Sequence, residues 1–392
     1  MLFRSVYRLP NPTLNTPSVA LAARVGDASP TANVSVTNIS PDAFTEGLMA
    51  GLGAVTPAAF TNAGGAIANL AAGGTDGTTL RVGLNTATSG SFNGTAQVNF
   101  TSTGAGTTGA ADQALASGNV TLAGNVYQTA QVGPVSSPIN FGTVHVGDII
   151  ATKAVAIANI ASGALVDVIT GAFGIVSAPF SGTGTLGAGV AAGGSSSALQ
   201  VGLSTAAAGN FSGQANLVLA SHNAQLNDLT LAAGPVALNG TVNNYAVAAL
   251  GRTSGAGALT GGGSSYALNF GTIASGSGAL LSSLFLTNAA PAGLPADLLN
   301  GSFSINSGAG VFGLSGFDAF VALAAGTLLT GMNVTFDPLG LGFFSEVIAL
   351  HWNGTNPDYI GPVTDLLLSI SDRKSTRLNS SHIQKSRMPS SA

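Results

Sequence analysis

One stretch of this chain occurs three times, and that recurrence limits what the chain can fold into. The copies are Leu80–Ser102 (LRVGLNTATSGSFNGTAQVNFTS), Leu199–Ser221 (LQVGLSTAAAGNFSGQANLVLAS) and Asn333–Trp352 (NVTFDPLGLGFFSEVIALHW). Aligned without a gap, they share a valine (Val82, Val201, Val334) and an apolar residue two positions on (Leu84, Leu203, Phe336). Next come a glycine (Gly90, Gly209, Gly342) and a phenylalanine two residues after it (Phe92, Phe211, Phe344). Alternating apolar positions mark strands of period two. The glycine supplies a turn backbone that other residues strain to adopt. The motif therefore reads as a strand, a turn, and a second strand entered through a buried ring. The copies lie roughly 120 residues apart, and a β-sandwich domain takes about 100 residues.

The expected fold is all-β: three tandem Ig-like antiparallel β-sandwiches. Length alone suggests two or three domains. Only 7% of residues are charged, 45% are hydrophobic and 55 are Gly. Disordered chains combine low hydrophobicity with high charge, so disorder is a poor reading. The apolar residues fall in short alternating runs, not in the long uninterrupted run a spanning helix requires. Outward faces are left to Ser, Thr and Asn, a composition that suits an extracellular protein. With no cysteine in the chain, disulfides and Cys-based metal sites are excluded. A β-helix would also be rich in Gly and Asn, but its repeats are about 20–30 residues long.

Taken in order, unit one spans residues 6–130 and is degenerate or truncated. It holds the strand-like TANVSVTN (Thr31–Asn38) and closes on NVTLAGNVY (Asn119–Tyr127). Unit two, 131–246, opens with INFGTVHVGD (Ile139–Asp148) and continues through KAVAIAN (Lys153–Asn159). A Gly/Ser-rich linker is expected over 247–265, because LGRTSGAGALTGGGSS (Leu250–Ser265) is poor at burying surface. Unit three, 266–371, restarts with LNFGTIASG (Leu268–Gly276) and SLFLTN (Ser283–Asn288). The tail Asp372–Ala392 resembles a translated short-read sequencing adapter, and Met1–Ser5 resembles the same adapter read on the opposite strand. Residues 1–5 and 372–392 are accordingly expected to be non-native. Five of the eleven Lys and Arg lie in that tail, so the remainder is mildly acidic and no nucleic-acid partner is expected.

NFGT with a following Gly, a strand ending in Asn, an F-x-I run, V-T-F-D-P and G-x-F-S leading into an apolar strand resemble the bacterial choice-of-anchor D repeats. Those repeats are similar to hydin-type Ig-like domains. The resemblance implies Ig-like sandwiches in a secreted or surface-attached bacterial protein whose anchor varies between members. It brings no catalytic residues.

No catalytic, cofactor-binding or metal site is assigned from the sequence, and no enzyme activity or cofactor is expected. Phe92, Phe211 and Phe344 read as core packing, each costing about 3–5 kcal/mol on truncation to Ala. Asn38, Asn159 and Asn288 end strands and read as Asx-type turn residues. His145, His222 and His351 sit at non-equivalent positions without flanking acids at ligand spacing, whereas zinc needs three or four converging ligands. Asp27 and Asp148 are equivalent, each within VGD, while Asp318, Asp337 and Asp358 are scattered. An interdomain calcium site using Asp148 is the alternative to their being turn residues, although calcium takes six or more oxygen ligands. The sequons at Asn33, Asn93, Asn239 and Asn353 are uninformative in so Asn- and Thr-rich a chain. The strings Gly261–Gly263, Ala71–Gly74 and Ala191–Gly194 lack the G-K-[ST] step of a phosphate loop. The expected function is a non-enzymatic extracellular or cell-surface structural or adhesive array of bacterial origin, contacting protein or glycan components. A glycan- or protein-binding module is one alternative, although the chain has a single Trp. A spacer region of a larger secreted enzyme is the other.

Overall fold

The computed structural model describes residues 6–308, 310–356, 359–360 and 364–373. Among them the regular elements are all β-strands, arranged as Ig-like sandwiches. Strands with alternating apolar residues bury one face and wet the other, and three or more such strands are needed before a sheet is stable. The chain divides into two compact units. Unit 1 comprises Met1–Pro138, Thr152–Gly202 and Gln214–Ala237, and unit 2 comprises Ile139–Ala151, Leu203–Gly213 and Leu238–Ala392.

In unit 1, one sheet has the spatial order Pro12–Leu14, Thr31–Asn38, Thr75–Leu84, Phe60–Asn62. The facing sheet runs Ser18–Arg24, Gly118–Tyr127, Gly90–Thr103, Gly47–Thr56, Ala66–Leu70. Ser18–Arg24 pairs parallel to Gly118–Tyr127, and Gly118–Tyr127 pairs antiparallel to Gly90–Thr103. Val34, Val36, Leu80 and Val82 from the first sheet meet Ala96, Val98, Val120 and Leu122 from the second in a core sealed from solvent. Each large aliphatic side chain buried this way contributes about 1.5–3 kcal/mol. Unit 1 also holds a smaller sheet of Lys153–Ala158, Ser195–Leu203 and Phe180–Thr183. Beside it, Val168–Val176 pairs antiparallel with the C-terminal part of Gly209–His222.

Unit 2 repeats the first plan. One sheet runs Ala248–Gly255, Leu280–Asn288, Leu328–Phe336, Phe312–Ser315. The other runs Ala258–Gly262, Ser265–Thr272, Leu366–Arg373, Ser345–Asn356, Leu298–Gly308, Phe320–Leu323. Leu268, Leu284, Leu286, Met332, Val334, Phe336 and Ile370 fill the space between them. Ile139–His145, parallel to Val236–Asn243, also belongs to this unit.

The thrice-repeated stretch is not a hairpin. Thr75–Leu84 lies in one sheet and Gly90–Thr103 in the facing one, and Leu328–Phe336 and Ser345–Asn356 are divided in the same way. The motif is the corner at which the chain crosses from one layer to the other. Its glycine provides room more than turn geometry. A Cβ on Gly90 would stand 3.1 Å from the ring tip of Phe92, and one on Gly209 would stand 2.7 Å from that of Phe211. The rings fold back over their own glycines and remain half-buried. Phe92 and Phe344 pack against the cores of their sandwiches, as expected, without being enclosed by them.

The linker expected over 247–265 is instead sheet. Ala248–Gly255 pairs with Leu280–Asn288, and Ala258–Gly262 forms a hairpin with Ser265–Thr272. Ala248 and Leu250 are buried, and Leu259 packs on the unit 2 core. Gly255, at φ +99°, brings its backbone close to Ser282, an approach that a side chain would block. Composition misled here because glycines such as Gly255 and Gly261 serve close backbone packing. Of the termini expected to be foreign, Asp372 and Arg373 complete the last strand. Residues 1–5 and 374–392 lie outside the described residues, as does Asp358.

Candidate functional site: buried carboxylate clamps

Three buried asparagines organise the polar chemistry. Asn38, Asn159 and Asn288 are at most 1% exposed. Each Oδ1 accepts the N–H two residues on, at 3.2–3.3 Å (Ser40, Ala161, Ala290), which is the expected Asx-type bond. Each also accepts an N–H from the incoming strand or lead-in segment (Asn11, Gln131, Val247). The Nδ2 of Asn159 donates to Asp167 O and Val190 O, both at 3.1 Å. Asn288 does the same to Asp297 O and Leu323 O, while Asn38 reaches Leu70 O. An amide offers two donors and two acceptor lone pairs, and at two of these sites all four are used. The AAGG strings complete the hubs: Gly73 N–H donates to Asn38 O, and Gly193 N–H donates to Asn159 O. Those strings are therefore tight turns holding the asparagines.

Shortly after each hub comes an acid, at Glu46, Asp167 and Asp297, and all three are buried. Isolated buried carboxylates are costly unless paired and hydrogen-bonded. In unit 1, Asp167 Oδ2 accepts from Ser221 Oγ at 2.7 Å, and Oδ1 accepts from Asn223 Nδ2 at 2.6 Å. Arg24, from the end of Ser18–Arg24, places Nε 2.6 Å from the same Oδ2. Its other nitrogens donate to Asn227 O and Ser221 O, and the residue is only 9% exposed. Asp27 Oδ2 accepts Arg24 N–H at 2.8 Å and fixes the turn that presents the guanidinium.

Unit 2 repeats the device with an imidazole. His145, 1% exposed, sits with Nε2 2.8 Å from Asp297 Oδ2 and 2.9 Å from Oδ1. Facing a carboxylate, Nε2 carries the hydrogen. Asn243 Nδ2 and Asn356 Nδ2 donate to Asp297 Oδ1 at 3.2 and 2.8 Å. Asp148 Oδ2 accepts His145 N–H at 2.8 Å, as Asp27 does for Arg24. The ring stacks on Tyr245 at 4.2 Å between centroids, and Tyr245 OH donates to Asp148 Oδ1. The carboxylate considered for calcium thus receives two protein hydrogens, which gives it a structural role.

Glu46, in the first repeat, accepts from Ser102 Oγ and Thr108 Oγ1, both at 2.6 Å. Those bonds hold its carboxyl below the ordinary value, outweighing burial. Asp76, which accepts the Thr79 N–H and hydroxyl, is lowered in the same way.

The remaining sequence candidates do not converge. His222 pairs with Asp228, and His351 pairs with Asp365 and Ser304, all at the surface. Among the described residues no group of three or more His, Cys, Asp or Glu is placed to hold a metal. Trp352 packs on the unit 2 core and donates Nε1–H to Thr364 O. Sequence reasoning missed Arg24, Glu46, Asp167 and Asp297. The signal was present: laying one VGD over the other puts Arg24 on His145, and each hub asparagine is followed by an acid eight or nine residues on.

No family model and no curated protein matches the chain. Among solved structures, it is similar to mouse cadherin-23 EC22-24 (11% identity, 93% of this chain and 99% of that one, TM-score 0.34). Mouse protocadherin-24 EC1-3 gives 12% identity over 93% and 98%, with TM-score 0.34. A PapD-like domain of human CEP192 gives 12% identity over 33% and 91%, with TM-score 0.23. Likeness of this size carries no statement about function.

Proposed function

We propose that the chain is a non-enzymatic structural or adhesive array of three sandwich repeats, extracellular or at the cell surface and of bacterial origin. The observation that carries this reading is the clamp: successive sequence repeats are tied by a basic or imidazole side chain buried on a carboxylate. Parting one member from the other leaves an uncompensated buried charge at a cost of roughly 3–5 kcal/mol, so the pair resists opening of the joint. The buried polar chemistry thus serves connection, while the Ser304–His351–Asp365 relay, at 2.8 and 2.9 Å, stands exposed at the surface. The low charge and the Ser-, Thr- and Asn-rich outer faces support an exported protein, and the NFGT pattern supports a choice-of-anchor D repeat protein. Loops at the sandwich ends then present weak contacts to protein or glycan partners, summed by multivalency. No helix among the described residues is long and apolar enough to cross a membrane.

The test is to read the source genome's open frame through both termini and to label intact cells with antibody against residues 6–371. A signal peptide, further repeats and labelling of unpermeabilised cells are expected. Labelling only after lysis contradicts the reading. A frame continuing into a catalytic domain makes these repeats that enzyme's spacer.

A further inference from the structure

The three carboxylates are equivalent, but only two hold a basic or imidazole side chain. Each sits where an incoming residue pairs with the loop before it. Gln128 N–H donates to Leu165 O while Gln128 O accepts from Asp167 N–H; Asn244 does so with Pro295 O and Asp297 N–H; Arg8 does so with Phe44 O and Glu46 N–H. Val6-Tyr7-Arg8 accordingly stands where Val126-Tyr127-Gln128 stands one repeat later. At Asp167 and Asp297 the preceding repeat also inserts Arg24 or His145. At Glu46 the acceptor is built, with Ser102 and Thr108 in place, and among the described residues no basic side chain reaches it. Arg8 is turned to Asp42 at the surface instead.

We propose that the Glu46 face of the first repeat is a docking face for another repeat of this type, one carrying Arg or His at the position of Arg24 and His145, just before V-G-D. The charge fits: a buried anion with two hydroxyl donors lacks only a cation or imidazole N–H. The geometry fits as well, since the backbone register at Arg8 matches that of the two filled junctions. The third repeat has Ala274 at the inserting position, so its far end does not supply this partner. The inference rests on the array reading.

The test duplicates residues 11–127 ahead of Arg8 in the full chain, which brings a copied Arg24 opposite Glu46. Copied Arg24→Gln and Glu46→Gln are combined in a double-mutant cycle read by equilibrium unfolding. The same cycle on the original Arg24 and Asp167 serves as the internal standard. Non-additivity of roughly tenfold in the unfolding constant at both junctions is expected. Additivity within about twofold at Glu46, with coupling at Asp167, overturns the docking face alone. Additivity at both overturns the array reading with it. A duplicated chain that does not fold also overturns the docking face, because the face must then reject a repeat.

Discussion

The two clamps share one scaffold and hold different side chains, and that difference shows what the scaffold requires. Around Asp167 the guanidinium spreads over three acceptors: the carboxylate, Asn227 O and Ser221 O. Around Asp297 the imidazole offers a single Nε2–H to the carboxylate, and the local fold supplies the rest. Asn243 and Asn356 donate to Asp297, Tyr245 covers the ring, and Asp148 holds the turn. Arginine brings five fixed donors and is always charged. Histidine brings less and needs more neighbours. What both junctions keep is the buried carboxylate and its asparagine hub.

The largest loss is expected at the carboxylate. Asp167→Ala strands the Arg24 guanidinium, Ser221 and Asn223 together, and a loss of about 3–5 kcal/mol in denaturant unfolding is expected. Asn288→Ala leaves the carbonyls of Asp297 and Leu323 unsatisfied, with an expected cost of about 3 kcal/mol. The amide substitutions sharpen the contrast. Asp167→Asn removes the charge facing an obligate cation, whereas in Asp297→Asn the imidazole still donates to an amide oxygen. The first is expected to cost about 1–2 kcal/mol more than the second. Acid titration distinguishes the Glu46 carboxylate, which is held by hydroxyls alone among the described side chains. The Glu46 carboxyl titrates below its ordinary value in the folded chain. Its stabilisation is therefore complete above the unfolded-state value of 4.5 and is lost as pH falls through the lower folded value. Thermal melts between neutral pH and strong acid should show that slope shrink in Glu46→Gln. The smallest effect is expected at the corner. Phe92→Ala, with a half-buried ring, should cost about 1–2 kcal/mol, below the range for a fully buried phenylalanine.

Much of the fold was legible because its signals are local. Alternation fixed Thr31–Asn38 residue for residue, and the G-x-F recurrence marked the strand pair that is divided between two sheets. The linker over 247–265 was misread because glycine abundance looks alike in a flexible tether and in strands packed backbone to backbone, as Gly255 shows. The clamps were hidden for another reason. Arg24 and Asp167 lie 143 residues apart, and His145 and Asp297 lie 152 apart. Nothing within either neighbourhood announces the other. Only the alignment of repeats brings them into register, and it does so through identical turns, not identical side chains.

The direct test of the account is a double-mutant cycle on Arg24→Gln and Asp167→Asn in the full chain, followed by equilibrium unfolding. A coupling free energy of about 2 kcal/mol or more is predicted for a buried pair that joins two repeats. A coupling within about 0.5 kcal/mol of zero would show the two residues to be neighbours without being a clamp.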